Sequence, residues 1–190
     1  MKRLINVPNV VTFSRIVLIP LIIGLYYLPE DWLSWHAKNL AATVVFIVAA
    51  ITDWLDGYLA RRLNQMSAFG AFLDPVADKL IVAGALIVLL HLKRVDMLVA
   101  LIIIGREIAI SALREWMASI GKSKSVAVAF VGKVKTLSQM IAIPLLLFND
   151  YLLGLDCRWL GDILINVAAV LTVVSMLYYL RKALPHATVR

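Results

Sequence analysis

Asp53, Asp56, Asp74 and Asp78 stand in one short stretch, DWLDGYLARRLNQMSAFGAFLDPVADK, between two strongly apolar segments. Placed on a helix, Asp53, Asp56, Gly57, Ala60 and Arg61 fall within an arc of about 140°. Gly70, Asp74 and Asp78 share an arc of about 80° on a second helix. Four clustered carboxylates repel one another, and Arg61 and Lys79 are too few to neutralise them. One or two divalent cations would do so, and an all-oxygen ligand set suits Mg²⁺ or Mn²⁺. Glycine in a helix costs about 1 kcal/mol relative to alanine. Gly57, Gly70 and the small Ala60 therefore point to close approach by a second helix or a ligand. Metal together with Arg61 is the equipment for a phosphate or pyrophosphate. The structural alternative makes the aspartates simple ion pairs at helix ends. Pro75 leaves two readings of the second helix: a kink there, or a start at Asp74 as N-cap.

The elements that must carry these residues are membrane spans. The 190-residue chain is 62% hydrophobic, with a mean hydropathy of +0.89, well above a typical soluble domain. Continuous apolar runs predict six transmembrane helices, near Val10–Leu28, Leu40–Leu59, Phe69–Leu90, Met97–Trp116, Lys135–Leu147 and Leu160–Leu180. The fifth is short and is expected to extend back through AVAFVG or on to Asn149. The fold class is thus an all-α integral membrane protein, a six-transmembrane-helix bundle forming one domain over residues 1–190. MKRLINVPNV lacks the small-residue cleavage site of a signal peptide and is kept as the entry to the first span. The single Cys157 excludes an internal disulfide.

Lys and Arg in the connections set the orientation. Lys2, Arg3, Arg61, Arg62, Arg114, Lys122, Lys124, Lys133, Lys135, Arg181, Lys182 and Arg190 fall on one side, against Lys38, Lys93, Arg94 and Arg158 on the other. Both termini are therefore expected in the cytoplasm, and the aspartates at the cytoplasmic edge. Trp32, Trp35 and Trp159 are the anchors of the opposite interface. The net charge of +7 is accounted for by this asymmetry, with no nucleic acid as partner. Spans 2 and 3, joined by a short loop, are expected to be antiparallel neighbours whose polar faces meet. If Arg61 marks the surface, Asp53 lies about 12 Å deeper. An Asp at the centre of a span costs roughly 2.5 kcal/mol or more, so Asp53 requires compensation.

Asn9, Thr12 and Arg15 share roughly one face of span 1 at the same edge. Arg106 and Arg114, about 80° apart on span 4, can face one cavity. Lys133 and Lys135 open span 5, with Thr136 and Gln139 following as hydrogen-bonding groups. Alternatively, Arg106 pairs with Glu107 or Glu115, and the two lysines belong to the ordinary cytoplasmic charge excess.

The spacing of Asp53, Asp56, Gly57, Ala60, Arg61, Gly70, Asp74 and Asp78 resembles the signature of the CDP-alcohol phosphotransferases, D-x-x-D-G-x-x-A-R-x8-G-x-x-x-D-x-x-x-D. Every specified position agrees, and the resemblance extends over nearly the whole chain. PNVVTFSR, GREIAISALREW and GKVKTLSQM are similar to the bacterial branch that uses glycerol 3-phosphate as acceptor. The resemblance implies an enzyme of the bacterial inner (cytoplasmic) membrane. It would transfer the phosphatidyl group of CDP-diacylglycerol to glycerol 3-phosphate and release CMP, with membrane lipid as its surroundings. It implies two Mg²⁺ or Mn²⁺ ions on Asp53, Asp56, Asp74 and Asp78, with Asp78 as general base. It implies a CDP-lipid site at Asn9, Thr12, Arg15, Asp56, Gly57, Ala60, Arg61 and Gly70. Because the acceptor carries a phosphate, Arg106, Arg114, Lys133 and Lys135 are its candidate ligands. The same family also uses serine, inositol or inositol phosphate. A cation-coupled transporter is the reading from another class. Homodimers are usual in the family, and Gly84, Ala85 and Gly105 could admit close packing of spans 3 and 4.

Overall fold

The computed structural model describes residues 7–63, 68–121 and 130–187, with backbone only at 7–11, 53–63, 68, 69, 71, 130, 131 and 185–187. Within these residues the protein is all-α apart from one hairpin. The helices are α1 (Val7–Tyr27), α2 (Trp35–Leu63), α3 (Ala68–His91), α4 (Met97–Ser119), α5 (Phe130–Phe148) and α6 (Cys157–Ala187). The six expected spans are therefore six helices. α2 starts earlier than expected because Ser34 caps it, accepting from the Ala37 N–H at 3.3 Å. α5 does extend back, to Phe130, and stops before Asn149. There Asn149 takes a left-handed φ of 51° that asparagine tolerates. α3 runs unbroken through Pro75, so Asp74 is not its N-cap and Gly70, Asp74 and Asp78 keep a single face.

Two strands, β1 (Tyr151–Leu152) and β2 (Leu155–Asp156), form an antiparallel hairpin before α6 that the apolar pattern did not predict. Its turn residues Leu153 and Gly154 both have positive φ, 53° and 83°, the backbone of a tight hairpin turn. Asp156 then caps α6 by accepting from the Trp159 N–H at 3.0 Å.

Among the described residues α3 packs mainly on α1 and only slightly on α2. α1 packs against both α2 and α3; the polar face of α2 expected to meet α3, Asp53 to Arg61, lies outside the described side chains. Gly84 explains the choice, since a Cβ there would stand 2.8 Å from Cγ2 of Ile19 on α1. Gly84 thus admits α1 rather than α4, and Gly105 has no neighbour within 4 Å of the corresponding position. The most extensive contact, α5 with α6, has the same device: Gly161 lies directly against Leu145 and Leu146. The core is a continuous cluster from Ile22, Phe46, Leu86, Leu89, Ile103, Ile143 and Leu146.

The outer faces of all six helices carry exposed large apolar residues, among them Val17, Ile51, Ile87, Leu101, Leu137 and Val170. Such a surface suits lipid rather than water. Among the described residues, Trp35–Thr52 and Cys157–Leu184 are long and apolar enough to cross a membrane, and Thr12–Tyr27 is a shorter apolar segment.

The end of the bundle bearing Trp32, Trp35 and Trp159 is tied by two buried cations. Lys38 donates to the Leu28 carbonyl at the end of α1 at 2.6 Å. Arg94 donates to the carbonyls of Leu146 and Leu147 at 3.1 and 2.8 Å, and to Asn39 Oδ1 at 3.0 Å. Arg94 thereby caps α5, whose last carbonyls have no partner within the helix. Two of the four cations on this side thus have structural work. Arg94→Met keeps the apolar stem and deletes these hydrogen bonds. It is expected to lower stability by about 2–4 kcal/mol, seen as a lower unfolding midpoint in detergent; an unchanged midpoint would mean the carbonyls find other donors.

Candidate active site

At the opposite end α1 delivers Thr12 and Arg15 to the acidic face of α3. Both are almost wholly buried, at 0% and 1% exposure. The Thr12 hydroxyl donates to Asp74 Oδ1. Arg15 Nη1 donates to Asp78 Oδ1, and its Nη2 lies 3.7 Å from Asp74 Oδ1. Asp74 and Asp78 stand one turn apart, and each side chain is roughly two-fifths exposed. The buried arginine holds both carboxylates in place, while their partial exposure leaves them open to a ligand. Carboxylate oxygens alone form a hard donor set, the type that fits Mg²⁺ or Mn²⁺. Among the described residues no third Asp, Glu, His or Cys joins them. Asp53, Asp56, Gly57, Ala60 and Arg61 lie on α2 and Asn9 on α1, but their side chains lie outside the described ones. Gly70 is buried.

A cavity of about 650 Å³ is lined by Arg15, Asp78 and Lys79 and by a second charged group on α4 and α5. All six helices contribute to its wall. In the second group Arg106 Nη1 lies 3.3 Å from Glu107 Oε1, which also accepts from Lys135 Nζ. Arg106 Nη2 donates to Ser175 Oγ on α6 at 3.3 Å. The Tyr179 ring serves two guanidiniums, with the Cζ of Arg106 and of Arg114 at 5.8 and 5.7 Å from its centre, within cation–π range. Three cations against one carboxylate leave two positive charges on this wall, which complement the two negative charges of a phosphate monoester dianion. Lys135 is 1% exposed and Arg106 8%, so an anion here meets desolvated donors, where charge-assisted hydrogen bonds are strongest.

The structure thus brings together Arg106, Arg114 and Lys135 from the sequence-derived acceptor set, and leaves Lys133 exposed and outside the cavity lining. Glu107, considered only as a partner for Arg106, also holds Lys135. Ser175 and Tyr179 were missed. Their signal was present: Thr172, Ser175 and Tyr179 recur at helical spacing on an otherwise apolar α6.

One cavity thus combines a carboxylate with a cluster of cations at the end of a helical bundle with an apolar outer surface, an arrangement consistent with phosphoryl transfer at a membrane. The chain belongs to the CDP-alcohol phosphatidyltransferase family, whose model matches residues 5–174. It is 49% identical over 181 residues to the CDP-diacylglycerol–glycerol-3-phosphate 3-phosphatidyltransferases of Escherichia coli (strain K12) and of Shigella flexneri serotype 5b (strain 8401). The match covers 94% of this chain and 94% of each relative.

Proposed function

We propose that this protein transfers the phosphatidyl group of CDP-diacylglycerol to glycerol 3-phosphate and releases CMP, in phosphatidylglycerol and cardiolipin biosynthesis. The observation that carries the reading is one cavity lined by Asp78 together with Arg106, Arg114 and Lys135. The near-full-length similarity to enzymes named for this reaction supports it.

In this reading the cationic wall holds the acceptor phosphate and directs its primary hydroxyl toward Asp78. The hydroxyl oxygen bonds to the β-phosphorus of CDP-diacylglycerol, and Asp78 takes its proton. The bond from the β-phosphorus to the bridging oxygen breaks, and CMP leaves with that electron pair. Arg15 aims Asp78 through its hydrogen bond, and Thr12 orients Asp74. Asn9, Asp56, Gly57, Ala60, Arg61 and Gly70 complete the CDP-lipid site with Thr12 and Arg15. Asp53, Asp56, Asp74 and Asp78 would hold two Mg²⁺ or Mn²⁺ ions, which neutralise charge at the pyrophosphate.

The proposal includes six membrane crossings, with both termini and the reacting centre on the cytoplasmic side of the bacterial inner membrane. The charge asymmetry of the connections supports this orientation. It treats residues 1–190 as one domain and the working unit as a homodimer. The test is CMP release by purified protein in detergent with CDP-diacylglycerol and Mg²⁺, offering glycerol 3-phosphate, inositol phosphate, inositol or serine in turn. Release is expected with glycerol 3-phosphate alone and is abolished by a chelator. Release with another alcohol would reassign the acceptor; release that survives chelation would remove the metal from the reading.

A further inference from the structure

Gln139 follows Lys135 by four residues on α5, so the two share a face, and both line the cavity. Its side chain is 97% buried, since only 3% of the residue is exposed. Its Oε1 has no hydrogen-bond partner. A buried amide oxygen left without a donor is unfavourable and uncommon in a native fold. The neighbouring groups do not supply one: Lys135 donates to Glu107, and the Thr136 hydroxyl donates to the Gly132 carbonyl at 2.9 Å.

We infer that Gln139 is a specificity residue that reads the middle hydroxyl of the acceptor. The inference rests on the proposed acceptor. A three-carbon alcohol phosphate held by Lys135 and Arg106, with its terminal hydroxyl toward Asp78, carries one further hydroxyl between these ends. An amide can accept from that hydroxyl through its oxygen and donate to it through its nitrogen. A site that makes such a bond rejects the analogue lacking the hydroxyl, because its own polar group is then left unpaired.

The test compares kcat/KM for glycerol 3-phosphate with that for 3-hydroxypropyl phosphate, which has the phosphate and the terminal hydroxyl but not the middle one. Wild type is expected to favour glycerol 3-phosphate by about 10- to 100-fold. Gln139→Met, of similar length and apolar, is expected to bring the preference below about threefold by slowing glycerol 3-phosphate alone. Gln139→Asn retracts the amide by one methylene; it should raise KM for glycerol 3-phosphate while leaving that of the analogue in place, and it serves if the methionine variant does not fold. A wild-type preference that survives in both variants would overturn the assignment, as would equal losses for the two acceptors, the mark of a purely structural glutamine. Wild type that uses neither phosphate acceptor but turns over another alcohol overturns the acceptor reading itself. Activity with glycerol 3-phosphate and an unchanged preference in the variants overturns only the role of Gln139.

Discussion

Asp78→Asn will lower CMP release by about a thousandfold or more, with the fold intact. The substitution is isosteric and removes only the charge and the basic oxygen. General-base assistance alone contributes about 10²- to 10⁴-fold, and a lost carboxylate would also weaken any divalent ion held beside it. Arg15 does not become an orphaned buried charge, because Asp74 remains 3.7 Å from its Nη2. Loss of activity through unfolding is therefore not expected. The measurement pairs CMP release with the unfolding midpoint and with CDP-diacylglycerol binding. A variant that folds and binds the donor yet retains more than about a tenth of the wild-type rate would remove Asp78 from the chemistry.

Lys135→Met will raise KM for glycerol 3-phosphate by about 10- to 100-fold, the scale of a charge-assisted hydrogen bond to phosphate in a desolvated site. KM for CDP-diacylglycerol should stay within about twofold, since among the described residues Lys135 pairs with Glu107 rather than with Asp74 or Asp78. Methionine preserves the apolar stem, and Glu107 keeps Arg106 as its partner at 3.3 Å, so the wall loses one cation without exposing an unpaired acid. Lys133 provides the internal control. It stands two residues away but is exposed and outside the cavity lining, so Lys133→Met should move KM by less than about threefold. Equal effects of the two lysines would mean that the bulk positive field, rather than a defined wall, attracts the acceptor.

Much of this protein is written in one dimension. The apolar runs predict six helices because a backbone in lipid must satisfy its own hydrogen bonds, and six helices form. Helical periodicity places Asp74 with Asp78 and Thr12 with Arg15, since 3.6 residues per turn fixes which side chains share a face. The hairpin before α6 was not legible, because two-residue strands are too short to show alternation. Arg94 and Lys38 look like misplaced charges until the helix ends they cap are seen. Glu107 resembles a simple neighbour of Arg106, yet its contact with Lys135 spans 28 positions of sequence.

The sequence by itself determined the six helices, the shared faces of Asp74 with Asp78 and of Thr12 with Arg15, and the family to which the chain belongs. Only the tertiary structure decided that Thr12 and Arg15 of α1 meet Asp74 and Asp78, and that one cavity is lined by Asp78 together with Arg106, Arg114 and Lys135. The reason is physical. A soluble helix marks its buried stripe by hydrophobic contrast, but a helix in lipid is apolar on the faces that meet lipid and on those that meet protein. What selects the neighbour is then steric fit, such as Ile19 seated on Gly84, together with hydrogen bonds between polar groups distant in sequence. Neither is visible until the helices are packed.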